Sequence, residues 1–306
     1  MKNPRQHLSR EQVGLIAGGI AFPTWGLMGL YFGLLKPAQP LEVIAYRVVT
    51  GWVALLVVMM FLGQLRGVLV VLRDRRQILP LTTAGLLIAA NWAVYVWSVQ
   101  AGRLVEAGLG FFLQPLISVL LAVIVLKERP RRLQWVAVSA AGIGMTVMTI
   151  GYGHPPWIAF VLGGSLSAYG LLRKRANTPA FAALFVETNV QLLPALGILT
   201  WLDLSGRSTL TSAGGGHTAL LLGVGIVTGA PMLLFGVALQ RVPLATLSIM
   251  QYANPTVTVI VGVWVLGEKL TPDRIIGLGF VCVALGLLAT DAFRAAPAQT
   301  PAPVQI

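Results

Sequence analysis

The sequence predicts an all-α polytopic membrane protein of ten transmembrane helices, built as two inverted five-helix repeats. Three observations predict it. Mean hydropathy is +0.81 and only 10% of the 306 residues are charged, against roughly 25% in soluble domains. That leaves too little polar surface to cover a water-soluble body. The apolar runs are about 20 residues long, the length that crosses a hydrocarbon core of about 30 Å. A membrane β-barrel would instead show alternating segments of about 10 residues. Finally, one stretch recurs. Leu104 to Arg132 reads LVEAGLGFFLQPLISVLLAVIVLKERPRR, and 140 residues on, without a gap, Leu244 to Leu270 reads LATLSIMQYANPTVTVIVGVWVLGEKL. Pro115 aligns with Pro255, Gln114 with Asn254, Ser118 with Thr258 and Glu128 with Glu268.

The ten candidate helices cover residues 13–35, 42–63, 79–99, 104–126, 133–151, 157–172, 180–201, 218–239, 244–266 and 273–293. The first follows MKNPRQHLSREQ and could imitate a signal peptide. Its apolar run is too long for that, lacks a small-x-small cleavage site and is followed by many more spans, so it reads as a retained helix. The second and seventh each carry one charge well inside the span, Arg47 and Glu187. The third places Asn91, Tyr95 and Ser98 on one face, and the fourth and ninth carry the central prolines. The sixth is the shortest and starts at Pro156-Trp157.

Lysine and arginine orient the set. With this helix count sixteen of the 22 basic residues fall on the side of the two termini and five on the other, with Arg47 inside a span. The excess of positive charge marks the cytoplasmic side. The expected layout is a cytoplasmic tail at 1–12, a first repeat at 13–151, a second at 157–293 and a cytoplasmic tail at 294–306. Five helices per repeat is an odd number, so the two halves are inverted in the membrane. Inverted repeats are the architecture of alternating-access transporters, which bind substrate near the midplane at the repeat interface.

Pro115 and Pro255 stand 11 residues from each end of their expected helices. Each removes a helix hydrogen bond and leaves the carbonyl four residues earlier, Phe111 or Gln251, without its donor. Positions on the same face are Phe111, Gln114 and Ser118 in one helix and Gln251, Asn254 and Thr258 in the other. Freed backbone and polar side chains at this depth are tolerated where they line protein or a wet cavity. The stripes therefore read either as a substrate cavity, with the prolines as hinges, or as packing kinks whose amides bond neighbouring helices. Trp25, Tyr95, Asn91 and Tyr169 are further candidates for the cavity wall. Arg47 and Glu187, also 140 residues apart, are intramembrane charges and so candidates for function. They pair with each other or with local partners; helix rise separates their backbones by about 10 Å along the membrane normal. Glu106, in the first turn of its helix, has Arg103 three residues away as a partner. The glycine pairs Gly14/Gly18 and Gly225/Gly229 have the spacing of close helix packing.

The inventory excludes other classes. The basic residues sit in short corners between spans, an orientation signal and no nucleic-acid patch. The single cysteine, Cys282, allows no disulfide framework. His7, His154 and His217 all fall in tails or loops, so no span offers a histidine base or metal ligand, and no Gly-rich phosphate loop is present. No enzyme activity, metal or cofactor is expected; the expected partners are a small-molecule substrate and the lipid bilayer.

At the same residues the chain resembles the EamA division of the drug/metabolite transporter superfamily, and within it the RarD-like branch, with the YddG-type amino-acid exporters close by. The resemblance is carried by Trp25-Gly26, Arg47, Asn91-Trp92, Leu104-x-Glu106-Ala107-x-Leu109-Gly110 with Pro115-Leu116, and Glu128-Arg129. Tyr169-Gly170-Leu171-x-Arg173-Lys174, Glu187-Thr188, Gln251-Tyr252-x-x-Pro255-Thr256 and Gly267-Glu268-Lys269 complete it. It implies export of small amphipathic metabolites, amino acids or drug-like compounds, across the inner membrane. It also implies a cavity lined by helices 1, 3, 4, 6, 8 and 9. The reading from another class is a membrane scaffold without transport, which has no need of polar stripes at the midplane.

Overall fold

A computed structural model describes residues 9–63, 67, 71–72, 74–127, 131–153, 155–176, 178–239, 241–242 and 250–295. Among them are ten helices of eight or more residues: α1 Arg10–Leu34, α2 Pro40–Phe61, α3 Arg75–Gln100, α4 Leu104–Leu126, α5 Arg132–Tyr152, α6 Trp157–Ala176, α7 Ala180–Leu204, α8 Gly215–Leu239, α9 Ala253–Ile260 and α10 Pro272–Ala295. Eight are long and apolar enough to cross a membrane, and the segments Trp157–Arg173 and Ala253–Val265 are shorter apolar helices. The Glu128-Arg129 corner and residues 244–249, the start of the expected helix 9, lie outside the described residues.

Polar caps shift two helix starts from where hydropathy alone puts them. α1 begins three residues early because Ser9 and Gln12 form a capping box: Gln12 N–H donates to Ser9 Oγ (3.1 Å) and Ser9 N–H to Gln12 Oε1 (2.8 Å). Each bond satisfies a donor that the first helical turn leaves free. α3 likewise begins at Arg75 rather than 79, because Asp74 accepts from the Arg76 N–H at 2.9 Å.

The ninth helix differs most. A continuous helix over 244–266 is expected; instead a turn at Gln251-Tyr252 precedes α9, and Val261–Val265 is a π-helical turn. Pro255 therefore stands in the first turn of α9, where a missing N–H costs nothing. The Gln251 carbonyl that a proline at mid-helix would orphan accepts from the Asn254 N–H (3.2 Å). Pro115 does stand 11 residues from each end of α4. The two prolines align in sequence but not in their helical setting.

The packing has the exchange symmetry that a duplicated unit requires. Matching helix n with helix n + 5 turns each of the most extensive pairs into another or into itself. α4 packs on α6 as α9 does on α1, α3 on α6 as α8 on α1, and α2 on α8 as α7 on α3. The pairs α2–α7, α5–α10 and α4–α9 map onto themselves and lie across the pseudo-twofold axis. The largest buried apolar cluster runs through α1–α4, α6 and α8, from Met28, Phe32 and Tyr95 to Leu162 and Leu221. It sets the rigid frame in which α4 and α9 meet.

Candidate functional site

α4 and the segment 251–255 cross at the pseudo-twofold axis and enclose a cavity of about 170 Å³. Its walls are Phe111, Gln114, Pro115 and Ser118 on one side and Gln251, Tyr252, Asn254 and Pro255 on the other. The helical period explains the first wall: positions 111, 114, 115 and 118 lie on one face of α4. The second wall is set by the turn before α9, which brings Tyr252 alongside Gln251 and Asn254. Gln251 Nε2 donates to Gln114 Oε1 across the axis at 3.1 Å. Ser118 Oγ donates to Ser167 Oγ of α6 (3.0 Å), and Ser167 Oγ donates to the Gln114 carbonyl (2.8 Å). The lining carries amides, hydroxyls and aromatic faces, and none of its eight side chains is charged.

The other residues proposed from sequence for this wall lie outside the lining of this cavity. Thr258 is fully buried and donates to the Asn254 carbonyl (2.9 Å), bracing the wall from behind. Tyr95 is buried with its ring against Phe111 (centroids 5.5 Å) and its hydroxyl toward Thr258 and the Gly29 backbone. Asn91 is spent on packing α3 to α6, its Nδ2 donating to the Leu162 carbonyl and to Ser165 Oγ, both at 2.9 Å. Trp25 packs edge-on against Phe22 and tilted against Phe235 of α8. A second, apolar groove of about 440 Å³ beside Trp97 and Trp157 is an outer face of the bundle, where both indoles are more than a third exposed.

Tyr169 belongs to a separate cluster of buried charge. Its hydroxyl donates to Glu187 Oε2 (3.0 Å), and Arg173, one turn further along α6, pairs with Glu187 Oε1 (3.1 Å). Arg47 takes no part in that pair. Its guanidinium lies 3.9 Å over the Trp92 ring, and among the described residues no carboxylate reaches it. The aligned charges Arg47 and Glu187 thus have local partners, a cation–π face for one and an ion pair for the other. Trp92, Tyr95 and Phe111 form an aromatic line from Arg47 to the cavity wall.

Three carboxylates, Glu42 and Glu106 buried and Glu268 half-buried, tie the structure together at long range. Glu42, fully buried at the start of α2, accepts from Thr209 N–H (2.7 Å) and Thr209 Oγ1 (2.9 Å). Glu106 pairs with Arg103 (2.7 Å), as the spacing suggests, and also accepts from the Ile158 N–H at the start of α6 (3.2 Å). Glu268, in the loop after the π-helical turn, accepts from both Leu104 N–H (2.5 Å) and Val105 N–H (2.8 Å) at the start of α4.

The EamA-like transporter family matches this chain twice, over residues 12–150 and 155–290. The chain belongs to the EamA-like transporter family. As a member of it, the chain is 40% identical to protein RarD of Streptomyces exfoliatus over 288 residues, 94% of this chain and 91% of that one. It is 37% identical to the uncharacterized transporter YojE of Bacillus subtilis, covering 92% and 94%, and 32% identical to protein RarD of Escherichia coli, covering 91% and 94%. One crystal structure superposes on 92% of this chain and 98% of its own, with a TM-score of 0.58 and 19% identity, a likeness of fold. A membrane transporter accordingly has its pseudo-twofold axis at the α4–α9 crossing, where the uncharged cavity sits. Sequence reasoning named Tyr252 and Glu268 only within the repeat or the family motifs and gave neither a place in this region, and it missed Ser167, which lies on another face of α6 from Ser165 and Tyr169.

Proposed function

We propose that the chain is an inner-membrane exporter of small amphipathic metabolites that works by alternating access. Its termini are in the cytoplasm, on the side that receives sixteen basic residues, and amino acids, aromatic ones included, are its substrates. The observation that carries this reading is the chemistry of the α4–α9 cavity. Gln114, Gln251 and Asn254 each offer a donor and an acceptor, which suits both charged ends of a zwitterion, and Phe111 and Tyr252 offer faces for an apolar or aromatic side chain. A volume of about 170 Å³ favours small metabolites over drug-sized compounds, whose pockets run to about 300–1,000 Å³.

The test is a competition screen in proteoliposomes. Amino acids with large apolar or aromatic side chains are expected to compete best for transport of a labelled aromatic amino acid. A protein that moves hydrophobic drug cations and no zwitterion would be a drug efflux transporter instead.

Pro115 and Pro255 serve as flexion points in this reading, and their different settings separate them. Pro115→Ala restores a hydrogen bond in the middle of α4 and is expected to slow turnover about tenfold, with a smaller change in apparent affinity, through a stiffer helix. Pro255→Ala changes a first-turn position and is expected to slow turnover only about two- to threefold. Initial rates across substrate concentrations measure both; equal rates in the two variants would remove the distinction.

A further inference from the structure

We propose that Glu268 is the latch of the sealed end of the cavity, and that release of its two backbone contacts is the step that opens that end. The inference rests on the alternating-access reading above. It adds a residue outside the cavity that sets which end is closed.

The two halves of α4 are unequally covered. Residues 104–110 are all buried, whereas 117–121 are all half-buried. The covered half is pressed against α9, which is itself pressed against α1. A Cβ on Gly26 would come within 2.5 Å of Val257, one on Gly108 within 2.8 Å of Val259, and one on Gly262 within 3.0 Å of Val105. This end has no room for a solute between the helices.

Glu268 spans the seam. The first turn of an α-helix leaves its N–H groups without intrahelical acceptors. At the start of α4 two of them, on Leu104 and Val105, are taken by the two oxygens of a single carboxylate 164 and 163 residues away. A negative charge there also meets the positive end of the helix dipole. The chain is shaped to deliver it. The π-helical turn is closed by the Leu266 N–H on the Val261 carbonyl (3.0 Å), and the Glu268 N–H returns to the Gly262 carbonyl (2.9 Å). Between them Gly267 takes φ +69°, a left-handed conformation that suits glycine. A helix running straight on through 268 would keep this side chain on its own surface; the wide turn and the left-handed glycine carry it back to α4. Irregular turns of this kind are frequent at functional positions in helices.

Glu268 itself is half-buried, but the two residues that donate to it, Leu104 and Val105, are buried; water that reached their amides would satisfy them and free the seam. Leu104 itself is fully buried, so it is uncovered only when the end opens.

The experiment uses the full chain in proteoliposomes, in a Cys282→Ser background with Val259→Cys as a reporter inside the sealed end. Labelling by a membrane-impermeant maleimide is expected to be slow with Glu268 present. Glu268→Ala should speed it about tenfold or more, the effect of losing two hydrogen bonds to a charged acceptor, and should slow transport. Glu268→Gln keeps one acceptor oxygen and should fall between the two; it carries the test if the alanine variant does not fold. Labelling rates equal to the parent in both variants would overturn the latch, whatever the protein transports. Faster labelling in a protein whose parent moves no amino acid would leave the latch standing and remove the amino-acid reading.

Discussion

Replacing Gly225 with valine is expected to leave almost no folded, monodisperse protein after extraction into detergent. Gly225 of α8 lies directly on Gly51 and Thr50 of α2, with its N–H donating to Thr50 Oγ1 at 3.0 Å. A Cβ at this position would run into the Gly51 N–H and come within 2.6 Å of the Thr50 carbonyl carbon. Those are backbone atoms, which no rotamer change can move aside. The helices must part, and in a bilayer their association depends on close packing rather than on expulsion of water. Overpacking of this kind costs about 3 kcal/mol or more, and the Thr50 contact is lost with it. Gly229, one turn later on the same helix, has nothing within 4 Å of a built Cβ. Gly229→Val should therefore shift the thermal midpoint by only a few degrees, within about 1 kcal/mol. Superimposable melting curves for the two variants would show that the α2–α8 crossing is looser than drawn.

The second large effect belongs to the buried ion pair. Arg173→Leu is expected to destabilise the protein by about 3 kcal/mol or more, because it strands a buried carboxylate with one hydroxyl donor. The Glu187 side chain is 3% exposed, that of Arg173 22%. Glu187→Leu should therefore cost less: the arginine left behind can extend along its apolar stem toward the membrane surface. With both replaced by leucine, much of the loss should return, since well-packed apolar residues often substitute for a buried pair without penalty. Reversible unfolding of the four proteins measures the coupling between the two sites. Additive losses in the double variant would mean that the pair is not interacting as its geometry implies.

Much of this protein is legible without coordinates, and for one physical reason. In a bilayer each spanning segment must satisfy its own backbone, so span length, hydropathy and the 140-residue repeat specify an all-helical duplicated fold before any contact is known. The polar stripes were legible for a related reason. Phe111, Gln114 and Ser118 share a helical face by period alone, and the structure sets them around one cavity with Gln251 and Asn254.

What the tertiary structure decided concerns rotation, helix irregularity and reach. Asn91 and Trp25 are as polar or as aromatic as the lining residues, yet the roll of α3 and α1 turns them to neighbouring helices. Arg47 and Glu187 align in sequence but do not pair with each other: Arg47 lies over Trp92 and Glu187 pairs with Arg173. Gly225 and Gly229 read alike, and only the α2–α8 crossing separates them. The break before α9 and the π-helical turn after it interrupt a run that hydropathy reads as continuous, and that turn carries Glu268 across the pseudo-twofold axis to α4. Hydropathy records how much of a helix faces lipid. It does not record the roll of a helix, an irregular turn within it or the angle at which it crosses a neighbour, and those decided these pairings.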